Sequence, residues 1–329
     1  MRLSLRALKS PALWLAAASS LAAHAQALKP VLTQINSALQ AGEADKALAL
    51  IEALPQGGAD NAEAQNLECR VRFTLQEWSA AAEECGQAVR LDGGNSDYHM
   101  WLGRALGERA SRASFLSAYS LGKQVRAEFE QAVRLDPRNP AALADLGSFY
   151  DDAPGIMGGG LDKAEGVAGQ LDKVDPARAH QLRAAIAEER KDYATAEREL
   201  KQAIAVSAHP ASPWTVLASF YERRQRWADM EAAIHSCAAA AARDRSAGVA
   251  LYDGAGILIR SRRDPQLAAK MLEDYLAGQS KSEEAPAFVA CERLARLKQQ
   301  LGDNDAARRE QAAALALAHE YRPAQELKF

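Results

Sequence analysis

Apolar residues along this chain fall three and four positions apart in short blocks, and each block ends at a turn. The pattern is clearest in Phe129-Glu130-Gln131-Ala132-Val133-Arg134-Leu135-Asp136-Pro137-Arg138-Asn139-Pro140. There a bulky Phe129 is followed three residues later by the small Ala132, and Asp-Pro stops the run because proline cannot continue a helix. Degenerate copies recur. Taking the small or compact residue early in the second helix of each unit gives Ala47, Ala81, Val125, Ala164, Ala196, Met230, Ala268 and Ala307, at steps of 34, 44, 39, 32, 34, 38 and 39 residues. A unit of about 34 residues with small residues at fixed offsets predicts stacked helical hairpins, eight of them from about Lys29 to Tyr321. Gly42 and Gly302 stand five residues before Ala47 and Ala307. These are the places for the tight turn between paired helices, where glycine tolerates positive φ.

Trp214-x-x-Leu217-Ala218-x-x-Tyr221 resembles the tetratricopeptide (TPR) signature W-x2-L-G-x2-Y, with alanine as the small residue that lets two helices approach. The resemblance covers nearly all of the chain after its first 25 residues, strongly in Ser212 to Cys237 and Leu143 to Pro176 and weakly at both ends. It implies an all-α, right-handed superhelical solenoid. Leu102-Gly103-Arg104-Ala105, Ala153-Pro154-Gly155-Ile156-Met157-Gly158-Gly159-Gly160 and Leu161-Asp162-Lys163-Ala164 also look like stretches of exported bacterial TPR proteins that carry an APGxxGG insertion. The same glycine-rich element is similar, over a short stretch, to the T-component of TRAP transporters, which implies partnership with a periplasmic solute-binding protein.

In such arrays the first helix of each pair lines the concave groove. Carried over residue by residue, the groove positions are Arg104, Glu108, Ser148, Asp152, Gln181 and Glu188, then Thr215, Ser219, Glu222 and Arg223, then Asp253, Arg260, Glu292, Arg296 and Gln299. Both signs of charge occur, a lining suited to an extended peptide or a helix rather than a polyanion. Ordinary solvated polar surface accounts for most of these residues one by one.

Two insertions fall at the same point of adjacent units: about ten residues, Ser111 to Ser120, between the helices of the third hairpin, and about five in Asp151 to Gly160 of the fourth. Insertions at equivalent points emerge along one edge of a solenoid. Phe115, Tyr119, Ile156 and Met157 then either pack on one another or form an edge for a partner or ligand.

The first 25 residues read differently. Arg2, Arg6 and Lys9 precede an apolar run from Pro11 to Ala23, and Ala23-His24-Ala25 suits a signal-peptide cleavage site. The expected organisation is a signal peptide, residues 1–25, and a TPR solenoid domain, 26–329. The apolar run is shorter than a membrane-spanning helix needs, and the mature protein is expected to be soluble in the periplasm or secreted. Cleavage removes three positive charges and takes the net charge from −3 to −6, against a nucleic-acid partner.

Export bears on the cysteines. Cys69 and Cys85 lie eight residues either side of Glu77, so a hairpin reversing there sets them opposite each other. Reduced, they would be small core residues. An oxidising compartment favours a disulfide. Cys237 and Cys291 fall in separate units and are expected to be unpaired. In the same second hairpin Glu68 and Arg72, at i, i+4, can pair on the helix surface.

Catalytic patterns are sparse. His99, His180, His209, His235 and His319 form no metal-ligand spacing, no nucleophile elbow occurs, and Gly155 to Gly160 lacks the lysine of a phosphate loop. Asp151-Asp152, at a helix end, is expected to be solvated. The sequence therefore predicts a non-enzymatic scaffold or adaptor with no cofactor, binding protein or peptide by its groove or its inserted edge. The other reading, a small-ligand partner of a transport system, predicts an apolar cavity at Phe115, Tyr119, Ile156 and Met157.

Overall fold

A computed structural model describes residues 28–54 and 60–329. Among the described residues the chain forms eight helical hairpins, and the predicted signal peptide lies outside them. The pairs are α1 (28–41) with α2 (Ala44–Glu52), α3 (Ala62–Thr74) with α4 (Trp78–Leu91), α5 (Ser96–Ala110) with α6 (Phe115–Leu135), and α7 (Pro140–Asp152) with α8 (Leu161–Leu171). They continue as α9 (Pro176–Glu189) with α10 (Tyr193–Val206), α11 (Ala211–Arg223) with α12 (Trp227–Ala241), α13 (Gly248–Ser261) with α14 (Pro265–Ala277), and α15 (Ala287–Gln300) with α16 (Asn304–Leu317). A short α17 (Arg322–Gln325) follows, and a 3-10 turn, Gly155–Met157, sits between α7 and α8. The fold is an all-α repeat solenoid of TPR-like hairpins.

Local chemistry sets the boundaries. Asn139, Asp175 and Asp264 cap α7, α9 and α14, each accepting from a backbone N–H of the first turn, and each is followed by a proline at the first helical position. The small residues that mark the period are where helices cross. Ala47, Ala81, Ala164, Ala196, Met230, Ala268 and Ala307 are wholly buried and Val125 is nearly so. At the hairpin turns Gly42 and Gly302 have φ of 75° and 84°, and the equivalent turns elsewhere use Gln76, Lys191, Gln225 and Arg262 in the same left-handed region.

Cys69 and Cys85 are bonded, with Cα atoms 5.1 Å apart, and pin α3 to α4. Arg72 of α3 donates to Glu68 at 3.0 Å and to Glu77 in the turn at 2.9 Å. Cys237 and Cys291 are buried and unbonded.

One expectation is corrected. Residues 115–120 do not form a loop between helices: α6 begins at Phe115 and runs for 21 residues. The segment has no proline, so the helix begins directly after the short turn 111–114 that follows α5. The second insertion is a true loop, and its 3-10 turn lies against α6. A β-carbon at Gly122 would lie 2.8 Å from the Met157 sulfur, so Met157 seats on that glycine.

The ends of the solenoid meet. Leu28, Leu32, Ile35 and Leu39 of α1 share one apolar core with Tyr252, Phe288, Leu294 and Tyr321 from the far end of the chain. The segment between α14 and α15 is nine residues long, where most connections between hairpins in the middle of the chain have four, and it reaches back across the joint. Its Glu283 accepts from Gln40 Nε2 of α1 and Arg70 Nε of α3, both at 2.9 Å. Gly42 packs so closely on α15 that a β-carbon there would come within 2.5 Å of the Ala287 nitrogen. Asp45 of α2 accepts from the His319 backbone N–H at 2.8 Å and pairs with its ring at 2.9 Å. The array is thus closed into a ring.

Candidate functional site

Closure turns the concave groove into the inner wall of the ring, and the wall is largely paired to itself. Arg104 of α5 donates to Asp145 of α7 at 2.6 Å. Arg223 of α11 makes two bonds to Glu188 of α9, at 2.8 and 2.7 Å. Arg260 of α13 donates to Glu222 of α11 at 2.9 Å. These pairs, which sequence treats as exposed faces, bridge neighbouring hairpins along the first helices. Glu108 pairs with Arg112 at 2.5 Å at the end of α5. Ser148 is exposed and Gln181 half-buried.

Three of the expected groove residues are engaged within the chain. Glu292 is buried and bonds Arg296. Arg296 also donates to the Pro323 carbonyl, and Gln299 to the Lys328 carbonyl at 2.7 Å. The C-terminal segment lies over this part of α15 because its carbonyls satisfy those side chains.

Asp152 is exposed, as expected, whereas Asp151 differs from expectation. Asp151 is half-buried, one of its carboxylate oxygens is buried with no hydrogen-bond partner, and burial together with Asp152 and Glu189 pushes its carboxyl up to about 6. Each of four histidines is tied to a carboxylate: His99 to Glu128 at 2.6 Å, His180 to Glu199 and His209 to Asp244 at 2.7 Å, and His319 to Asp45. They serve as links between elements. Among the described residues no group of three or more His, Cys, Asp or Glu is placed to hold a metal ion.

What the ring does gather is a pocket of about 290 Å³ between α11, α13 and α15. Thr215, Ser219, Asp253 and Arg260 of the expected set line it, joined by Tyr252, Gly256 and Arg293, which sequence reasoning missed. Thr215 is committed, donating to the Ser212 carbonyl at 2.7 Å. Arg293 lies over Tyr252, its guanidinium carbon 4.2 Å from the ring centroid. Burial pushes the Asp253 carboxyl up to about 6 against the pull of Arg293 and Arg260, and Glu284 adds to the rise. Glu284 raises Asp145 as well, so α7, α13 and the 278–286 segment face one interior.

A second cavity of about 440 Å³ lies where the ring closes, between α3, α5 and that segment. Trp101 in its wall is flanked by the guanidinium groups of Arg70 and Arg104, 5.5 and 4.7 Å from the ring. Asn66 is buried beside it with its amide nitrogen unpartnered.

Asp253 carries a pH signature. An acid whose folded value lies near 6 and whose unfolded value lies near 3.8 holds a proton in the native state that the unfolded chain has released. Stability then falls as pH rises from about 4 to 6, and the cost is full above that window. Asp253→Asn is expected to stabilise the protein by about 1–3 kcal/mol at pH 7.5, at about 1.4 kcal/mol per pKa unit, and to be neutral at pH 4. Urea unfolding at the two pH values checks it. A variant less stable than the parent at pH 7.5 would show that Asp253 has a partner that the ring hides.

At the inserted edge, Phe115, Leu116 and Ile156 are 73%, 80% and 62% exposed, whereas Tyr119 and Met157 are half-buried. Lys123, one turn beyond Tyr119, lies 4.3 Å from its ring centroid and has no carboxylate partner among the described residues.

No protein-family model matches the chain. A 124-residue stretch is 30% identical to mouse (Mus musculus) Superkiller complex protein 3, taking in 36% of this chain. The chain spans 7% of that protein's length. Among solved structures it is similar to a thermophilic TPR protein of Thermus thermophilus, at 18% identity over 58% of this chain and 97% of that one, with a TM-score of 0.49. It is also similar to PilF of Pseudomonas aeruginosa, at 16% identity over 70% of this chain and 95% of that one, with a TM-score of 0.36.

Proposed function

We propose that this protein is a non-enzymatic interaction scaffold of the bacterial cell envelope, and that it docks a protein partner on the edge formed by the start of α6 and the Gly155–Met157 turn. The observation that carries this is the exposure of Phe115, Leu116 and Ile156 on two neighbouring hairpins, while Arg104, Arg223 and Arg260 of the inner wall are each paired with a carboxylate of a neighbouring hairpin. Seven residues of α6 precede Gly122, about 10 Å of helix reaching past the packed turn at 1.5 Å per residue. An exposed apolar cluster of this kind lowers the solubility of the free protein, and a partner that covers it removes that cost. The cations nearby, Lys123 and Arg109, lack carboxylate partners among the described residues. The partner is accordingly an amphipathic segment with acidic residues flanking its apolar stripe. The apolar cavity required by the transport-partner reading has two of its four expected walls, Phe115 and Ile156, turned to solvent. The signal-like residues 1–25 and the Cys69–Cys85 bond support an envelope location.

A photoreactive side chain at Leu116, introduced in cells of the source organism, is expected to give one discrete protein adduct that disappears when Phe115→Ser and Ile156→Ser are added. The same probe at exposed Asp305, in α16 of the eighth hairpin, is expected to give none. Absence of an adduct at position 116, or equal adducts at both positions, removes this reading.

A further inference from the structure

The pocket between α11, α13 and α15 holds two opposite charges that do not satisfy each other. Among the described residues Asp253 makes no hydrogen bond or ion pair, and Arg293 makes none beyond its stacking on Tyr252. They form no ion pair with each other, and the Arg293 guanidinium carbon stands 4.2 Å from the Tyr252 ring centroid. Half-buried charges left in this state cost stability, and a protein keeps such a cost where a site needs it.

The space between them is built. Gly256 sits inside α13, where glycine costs about 1 kcal/mol relative to alanine. A β-carbon at Gly256 would lie 3.2 Å from Arg293 Nη1 and 3.6 Å from Arg260 Nη1. Its absence leaves room in front of both guanidinium groups. Arg260 is already committed to Glu222, so Arg293 is the free donor. Ser219, one turn after Thr215 on α11, has a hydroxyl with no partner among the described residues and lines the same space.

A volume of about 290 Å³ is at the small end for ligand pockets and takes one amino-acid-sized molecule. A simple anion would satisfy Arg293 and leave Asp253 unpaired, and an amine would do the reverse. Only a molecule with both charges a few ångströms apart settles the two together. We propose that this pocket binds a free zwitterionic amino acid, its carboxylate on Arg293 and its ammonium on Asp253. Ser219 supplies a further hydroxyl to the carboxylate, and Val216 and Ile257 bound the space for a small apolar side chain. A peptide terminus carries one of the two charges and does not fit this requirement. The site is independent of the α6 edge.

Titration calorimetry on the purified protein with glycine, L-alanine, L-serine, L-valine and L-leucine tests this. At least one is expected to bind with a Kd below about 1 mM. Propionate, ethylamine, N-acetyl-L-alanine and the dipeptide Ala-Ala are each expected to bind at least tenfold more weakly. Arg293→Gln, Asp253→Asn and Gly256→Val are each expected to lose at least tenfold in affinity. Asp253→Asn is the decisive variant, since it is expected to be the more stable protein at neutral pH and its loss of binding cannot come from unfolding. Propionate binding as tightly as alanine, full affinity in Asp253→Asn, or no saturable heat with any of the five amino acids would each overturn the assignment. None of these outcomes bears on crosslinking at Leu116.

Discussion

Glu283→Ala is expected to open the ring. The Glu283 side chain is 9% exposed and that of its partner Arg70 is 17% exposed, so removing the carboxylate leaves a guanidinium buried without a counter-charge. Breaking such a pair from one side costs about 3–5 kcal/mol. The loss falls on the joint between the first hairpins and the last, because Gln40 of α1 loses the same acceptor. Two readouts are expected to move together: the urea midpoint drops, and the radius of gyration in solution scattering increases as the ends part. Gly42→Val reaches the same end by another route, since its β-carbon would strike the Ala287 backbone and valine cannot relax at a φ of 75°. If either variant loses less than about 1 kcal/mol and keeps its dimensions, the apolar face of α1 alone holds the ring.

Reduction of the Cys69–Cys85 bond is the second large effect. The bond closes a loop between residues 16 apart, for which restriction of the unfolded chain is worth about 3 kcal/mol. Cys85→Ser is expected to lower stability by about that amount, and dithiothreitol is expected to lower the parent to the level of the variant while leaving the variant unchanged. The thiols of Cys237 and Cys291 are buried and pushed up to about 12, so neither substitutes as a reactive partner. Because hairpins stabilise their neighbours in a solenoid, loss of the α3–α4 pin also loosens the wall that carries Arg70. A parent indifferent to reductant would mean that the pair contributes nothing to the free energy of the hairpin.

The repeat is legible because its cause is local. A small residue at a helix crossing, a turn five residues earlier and an Asx-Pro at the next start all lie within one unit, and Gly42, Ala47, Asn139 and Pro140 announce them. The Cys69–Cys85 pairing is legible for the same reason, since equal distances from one turn fix it. Residues 115–120 mislead because an insertion and a helix extension add the same number of residues to a repeat. Helix propensity, with no break before Gly122, decides between them. Closure is not legible at all. Gln40 and Glu283 are 243 residues apart, and no periodicity links them. The one trace is the nine-residue connection before α15, with its Glu283-Glu284 pair, where four residues is the usual length in the middle of the array. The inner pocket suffers likewise. Asp253 and Arg260 follow from groove register, but Arg293 and Tyr252 belong to it through the contact of α15 with α13, which groove register does not mark.

The joint also changes when the protein can fold. An open repeat array gains stability hairpin by hairpin as it is made, since each unit needs only the one before it. Here Leu28, Leu32, Ile35 and Leu39 complete their core on Phe288 and Tyr321, more than two hundred residues later in the chain. Contacts of such separation are slow to form because the intervening chain must first be brought to order. The α1–α2 hairpin, synthesised well before α15 and α16, is therefore among the last to reach its native packing, and its apolar face stays available until they exist. On the envelope location proposed above, in which the chain crosses a membrane unfolded, the delay would keep α1 and α2 threadable and hand the final step to α15 and α16.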